Sequence, residues 1–272
     1  MHAPDRLSPA RATPVALAVD CEAPSHAGAP PRWWRALLQR VLTLWLSKSV
    51  GTTIGISAFF YGYFWVLHHP VGTLTVMPAT WVDAWLGLTP AAPQALALAH
   101  MVAYGSLWLY VSLVPALLRT RSELMFYLAG TVTLSLAGLA IFMVWPTQVP
   151  PYAADWSGHP ALAFLKGVDA GRNACPSLHV AFALYSAWWL ARVLREVSAP
   201  HGVRVFNWGW GLAIVYSTLS TRQHVLLDVL AGALLAGAVV WLQQLGRPWW
   251  ATHLGPRWGG PRWQRWWLGS GG

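Results

Sequence analysis

The sequence predicts an all-α fold: a polytopic membrane protein built as a bundle of six transmembrane helices. Three observations lead there. Of 272 residues, 56% are hydrophobic and only 10% charged, whereas a soluble domain carries about 25% charged residues. The apolar residues collect into runs at 50–68, 95–117, 124–145, 176–194, 206–222 and 224–244, each near the roughly 20 residues needed to cross a hydrocarbon core. Trp clusters near the ends of these runs (Trp65, Trp81, Trp145, Trp208, Trp210, Trp241), as in the aromatic belts of membrane proteins.

Taken in order, residues 1–31 are rich in Pro and Ala and lack the uninterrupted apolar core of a secretory signal. They read as a disordered arm. Residues 32–49 mix Arg and Trp with Leu at helical spacing, which suits an interfacial helix and equally the cytoplasmic end of the first span. Residues 50–245 hold the six-helix membrane domain, whose last two runs almost touch and so form a tight helical hairpin. Residues 246–272 make a Trp/Arg/Gly-rich cytoplasmic tail.

The formal net charge is +9. In a soluble protein that excess would suggest nucleic acid, but here the charges sit between apolar runs, so topology explains them and no nucleic-acid partner is expected. Arg32, Arg35, Arg40 and Lys48, then Arg119 and Arg121, then Arg192, Arg195 and Arg204, then Arg247, Arg257, Arg262 and Arg265 all fall on one side of a six-span chain. That side is read as the cytoplasm, with both termini in it. The lack of a targeting signal points to a bacterial inner membrane, the opposite loops facing the periplasm. Those loops carry only Lys166, Arg172 and Arg222 as basic residues, each beside a motif. The two cysteines, Cys21 and Cys175, give neither a disulfide framework nor metal-ligand spacing.

Two stretches stand out at the outer face. Asn173-Ala-Cys-Pro-Ser-Leu-His179 opens the fourth run, and Thr221-Arg-Gln-His224-Val-Leu-Leu-Asp228 opens the sixth. On a helix His224 and Asp228 share a face. A carboxylate inside a span is costly unless paired, and a bond to one ring nitrogen fixes the tautomer and frees the other as a nucleophile. The same spacing also fits a structural His–Asp pair stitching two helices. Pro176 reads as a first helical position, leaving helix-start N–H groups as an anion site. Ser177 adds a hydroxyl donor, and His179 faces the same space and protonates a leaving alkoxide. Alone, that segment is equally an ordinary helix start. Together the two stretches supply the parts for phosphoryl transfer through a phosphohistidine, with cations and backbone donors on the non-bridging oxygens. No metal or other cofactor is required.

These residues resemble the type 2 phosphatidic acid phosphatase superfamily, nearest its inositol phosphorylceramide synthase-like (inositolphosphotransferase) branch. Its Pro-Ser-x-His motif reads here as Pro176-Ser177-Leu178-His179. Its His-x3-Asp motif with a following small-residue helix reads as His224 to Asp228, then Val229-Leu-Ala-Gly232, with Arg222 and Gln223 before the histidine as in that branch. The resemblance implies His224 as nucleophile, Asp228 as its orienting partner, His179 as general acid, and Ser177 and Arg222 on phosphate. Its implied substrate is a lipid phosphate or polyprenyl diphosphate within the membrane. The chain departs from the phosphatase pattern in two places. Ser217 and Thr218 stand where that form has Ser-Arg before the histidine. Lys166 and Arg172, candidate phosphate contacts, are not spaced as in Lys-x6-Arg-Pro. These departures keep open a catalytically inactive lipid-binding or scaffold protein of the same fold. Neither the oligomeric state nor the choice between hydrolysis and transfer to an alcohol is readable.

Overall fold

Backbone groups that cannot reach water must bond within their own segment, and the apolar runs do so as helices. The computed structural model describes residues 32–152, 155, 157–169 and 171–253, apart from the side chains of 166–169, 247–249 and 251–253. The expected arm 1–31 and the tail beyond 253 lie outside the described residues. In chain order the elements are α1 (Trp33–Leu42), α2 (Trp45–His68), β1 (Thr75–Val76), α3 (Trp81–Leu86), α4 (Gln94–Gly105) and α5 (Leu107–Leu117). They continue with α6 (Arg121–Val144), β2 (Thr147–Gln148), α7 (Pro160–Asp169), α8 (Leu178–Glu196), α9 (His201–Ser220) and α10 (Leu226–His253).

The protein is mostly helical, at 74%. By length and composition, four stretches are long and apolar enough to cross a membrane: Trp45–His68, Gln94–Leu117, Arg121–Val144 and Leu226–Gly246. α8 and α9 stand where the fourth and fifth spans are expected, and at 19 and 20 residues they are long enough but less apolar. The reason for α8 is its place. It packs against α5, α6, α9 and α10, and Tyr185, Trp189, Val193 and Val180 are fully buried. A helix enclosed by protein does not need a lipophilic surface on every side.

Polar stitches cross this core. Tyr110 on α5 donates to Asn207 Oδ1 at 2.8 Å, and Asn207 Nδ2 on α9 donates to the Ala187 carbonyl of α8 at 2.9 Å. Tyr185 donates to the Tyr127 carbonyl and to Gln243 Oε1, tying α8 to α6 and α10. Buried polar groups that find such partners fix helix register as well as offsetting their own desolvation.

The departures from an all-helical reading are local. β1 and β2 form a two-stranded parallel sheet, pairing Thr75 with Thr147 and Val76 with Gln148, and Gln148 also bridges to Arg172. Segment 32–49 divides between α1 and the start of α2, with Leu44 in the left-handed region at φ 56°. The last two long helices do not abut: Thr221–Val225 separates α9 from α10.

Candidate active site

The start of α8 positions the first motif. Ser177 is the N-cap, its Oγ accepting from the Val180 N–H. That is the standard use of Ser at a helix start, and it corrects the expectation that Pro176 occupies the first helical position. The Ser177 N–H donates to the Asp228 carbonyl at 3.0 Å, so two of the amides expected to await an anion are already bonded. The same contact ties α8 to α10. Gly232 completes it, because a Cβ there would run into the Ser177 carbonyl oxygen.

The second motif lies in the connection after α9. Gln223 and His224 both donate their N–H to the Thr218 carbonyl, at 3.0 and 3.1 Å, and Arg222 N–H bonds the Leu219 carbonyl. Arg222 takes a left-handed conformation, φ 55°, which ends α9 and turns the chain. His224 therefore sits ahead of α10 rather than within it, yet its Nδ1 still lies 3.6 Å from Asp228 Oδ2. Asp228 is fully buried, and its Oδ2 also accepts from the Val225 N–H at 3.0 Å.

The two motifs converge. The His179 and His224 ring centroids are 6.0 Å apart, inclined at 53°. His179 stacks on Tyr104 at 4.4 Å between centroids, and Trp108 meets it edge-on. A cavity of about 160 Å³, lined by Phe59, Phe60, Tyr63, Tyr104 and Trp108 among others, ends on His179.

The remaining expected contacts divide. Ser177 is buried at the junction. Arg222 is committed to protein: Nε donates to the Leu88 carbonyl at 2.8 Å, an NH2 group to Gly87, and the guanidinium lies 3.9 Å over the Tyr152 ring. Arg172 is exposed on its bridge to Gln148. Lys166 lies on α7, and its side chain falls outside the described residues. His159 is buried with Nε2 3.0 Å from the Pro90 carbonyl.

The structure also brings in residues that no sequence motif singles out. Asp83 Oδ1 accepts from the Leu226 N–H at 2.6 Å, capping the start of α10 from α3. Among the described residues, the side-chain nitrogens of Asn173 and Gln223, His224 Nδ1 and Asp228 Oδ1 are buried without a hydrogen-bond partner. Buried polar atoms are rarely left so; others lie at the far end of the bundle, on Arg40 and Glu196, and these four sit on the two motifs. Cys175, just ahead of α8, is a free, buried thiol. Burial first, and then the Asp228 carboxylate, push it up to about 11. Among the described residues no group of three or more His, Cys, Asp or Glu is placed to hold a metal ion.

The layout is that of a helical membrane protein with a paired-histidine site at one end. The chain belongs to the PAP2 superfamily, whose family model matches residues 73–242. The match spans β1 through most of α10 and so includes both motifs. Membership points to a phosphatase or phosphotransferase. No curated protein and no solved structure matches the chain.

Proposed function

We propose that the chain is an integral membrane lipid phosphatase or phosphotransferase. It cleaves a phosphoester or diphosphate of a lipid at the outer membrane face through a phosphohistidine. The observation that carries this reading is the 6.0 Å separation of the His179 and His224 rings, which leaves room for one phosphoryl group between two imidazoles. Asp228 faces Nδ1 of His224, so Nε2 attacks phosphorus. The bond to the leaving oxygen breaks as His179 gives that oxygen a proton. Water or an alcohol then attacks the phosphohistidine, with His179 taking the proton back. The aromatic cavity ending on His179 suits the apolar part of a lipid next to its phosphate. The Asn173 and Gln223 side-chain nitrogens, buried without a hydrogen-bond partner, are the donors this reading offers its oxygens.

The basic residues support the orientation. Arg40 and Arg119 both pair with Glu196, at 2.9 and 3.4 Å, at the end of α8 opposite His179. A six-span reading puts that end in the cytoplasm and the histidines in the bacterial periplasm. Either outcome of the second step is compatible with the inositol phosphorylceramide synthase-like branch.

The test is turnover of phosphatidic acid and polyprenyl diphosphate by purified protein, with and without alcohol acceptors. His224→Ala is expected to abolish turnover and ³²P labelling of the protein. His179→Ala is expected to slow turnover by about 10²–10⁴-fold, the range of a lost general acid. Phosphate release without acceptor identifies the phosphatase; dependence on an alcohol identifies the transferase. Unchanged activity in His224→Ala would remove the reading. A second reading, an inactive lipid-binding protein of the same fold, draws on Arg222, whose guanidinium is bonded to backbone carbonyls and an aromatic face. Lipid binding without turnover by the wild type would favour it.

A further inference from the structure

We propose that Asp83 is a positioning residue of this reaction: its carboxylate holds the start of α10, and so the His224 loop, opposite His179. The proposal rests on the assignment of His224 as nucleophile.

α3 is short, and what it buries is polar. Asp83 is only 9% exposed, while Trp81 and Trp85 on the same helix are 79% and 77% exposed. Among its apolar residues Leu86 packs, partly buried, against the cluster of Val180, Leu219 and Val229, and Asp83 is the one buried residue of the helix. One Asp83 oxygen closes a capping box with Thr80, accepting from its N–H and its hydroxyl at 2.6 and 2.8 Å. The other accepts from the Leu226 N–H at 2.6 Å. A short N–H bond to a carboxylate is among the stronger hydrogen bonds in a protein, and here it joins residues 143 apart in sequence.

The residues after α3 grip the same loop from its other side. Leu88 N–H donates to the Ser220 carbonyl at 2.8 Å, and the Leu88 and Gly87 carbonyls take the Arg222 guanidinium. The guanidinium lies so close that a Cβ at Gly87 would fall on it. Residues 83–88 thus bracket 220–226 at both ends, with His224 between the two grips. His224 is not on a helical turn, and its Nδ1 has no hydrogen bond shorter than its 3.6 Å approach to Asp228. The loop is held at its centre by the Gln223 and His224 N–H bonds to the Thr218 carbonyl and at its flanks by residues 83–88, and the Asp83 carboxylate fixes the flank nearest Asp228. An error of about 1 Å in placing a reacting group costs on the order of 10²-fold in rate.

Three variants test this in the full chain. Asp83→Ala removes the acceptor. Leu226→Pro removes the donor while keeping a residue suited to the first helical position. Asp83→Asn keeps a carbonyl oxygen for the same N–H. With dioctanoyl phosphatidic acid in mixed micelles, Asp83→Ala and Leu226→Pro are each expected to lower kcat at least ~10-fold with KM within about 3-fold. Their double variant is expected to be no worse than the poorer single, because both remove one bond. Asp83→Asn should recover at least about one third of the activity. Hydrogen exchange in residues 220–228 should quicken in Asp83→Ala, with residues 178–186 unchanged, whatever substrate is used.

Single variants within about 2-fold of wild type, a rise in KM alone, multiplying losses in the double variant, or unchanged exchange in 220–228 would each overturn the proposal. If Asp83→Ala does not fold, Leu226→Pro and Asp83→Asn decide it. An inert His224→Ala alongside active Asp83→Ala and Leu226→Pro removes the positioning role alone. An active His224→Ala removes the mechanism beneath it.

Discussion

Cys175 shows how a single side chain reports on its surroundings. The thiolate is the reactive form of cysteine, and burial together with the Asp228 carboxylate raises the thiol to about 11. The sign is simple: a raised thiol pKa keeps the sulfur protonated until the pH nears that value. In a Cys21→Ser background, folded protein at pH 7.5 is expected to react with maleimide at least about 10-fold more slowly than unfolded protein, and faster as the pH rises toward 10. Rapid labelling of the folded protein at pH 7.5 would show that Cys175 is neither buried nor beside a carboxylate. At this scale the sequence was most informative where chemistry depends on near neighbours. His224 and Asp228 stand out by their four-residue spacing and His179 by the Pro-Ser-x-His pattern, and the structure brings the two histidine rings to 6.0 Å. Arg222 was legible as a basic residue beside the histidine and, by resemblance, as a phosphate contact. That its guanidinium bonds the Gly87 and Leu88 carbonyls depends on residues more than 130 positions away, which no local pattern encodes.

At the level of elements, the α8–α10 contact decides whether there is a site. At the histidine end it is made by the Ser177 N–H bond to the Asp228 carbonyl and the close approach allowed by Gly232, beside the packing of Val180 with Val229. Gly232→Ala places a methyl group against backbone that has no rotamer to yield. The expected cost is about 1–3 kcal/mol, typical of overpacking, seen as a lower Tm in detergent together with lost turnover. A variant with wild-type Tm and wild-type activity would show that the two helices are not held this closely. The long helices were legible because apolar composition over a membrane-length window is a strong signal: runs expected at 50–68 and 124–145 appear as Trp45–His68 and Arg121–Val144. α3, α7 and the β1–β2 pair were not, because each is too short for periodicity to register and is stabilised by partners distant in sequence. The Thr221–Val225 connection was hidden for a related reason. Its residues, Thr-Arg-Gln-His-Val, are mostly polar, but so short a stretch between two apolar runs does not mark where one helix ends and the next begins; the left-handed backbone at Arg222 does.

For the whole molecule, the two ends of the bundle differ in kind. One gathers Arg40, Arg119 and Glu196 into ion pairs, with Lys48 Nζ bonded to the Arg40 and Ala116 carbonyls. The other gathers the histidines and the partnerless carboxamides. The proposed topology assigns these ends to opposite sides of the membrane. In a cysteine-free background, Ser157→Cys, at an exposed position near the histidine end, is expected to react with an impermeant maleimide in intact cells. His201→Cys, exposed at the start of α9, is expected to react only after lysis. The reverse pattern would invert the orientation and move the site to the cytoplasm.

The seam between the two motifs is drawn in main-chain atoms: an amide of residue 177, a carbonyl of residue 228, and the bare Cα of Gly232. Exchanging the side chain of His179 or His224 removes none of those atoms. Architecture and chemistry are therefore separable in this chain. A lineage descended from it has a short route to silence, one imidazole lost, while the container around the vacant centre keeps its shape.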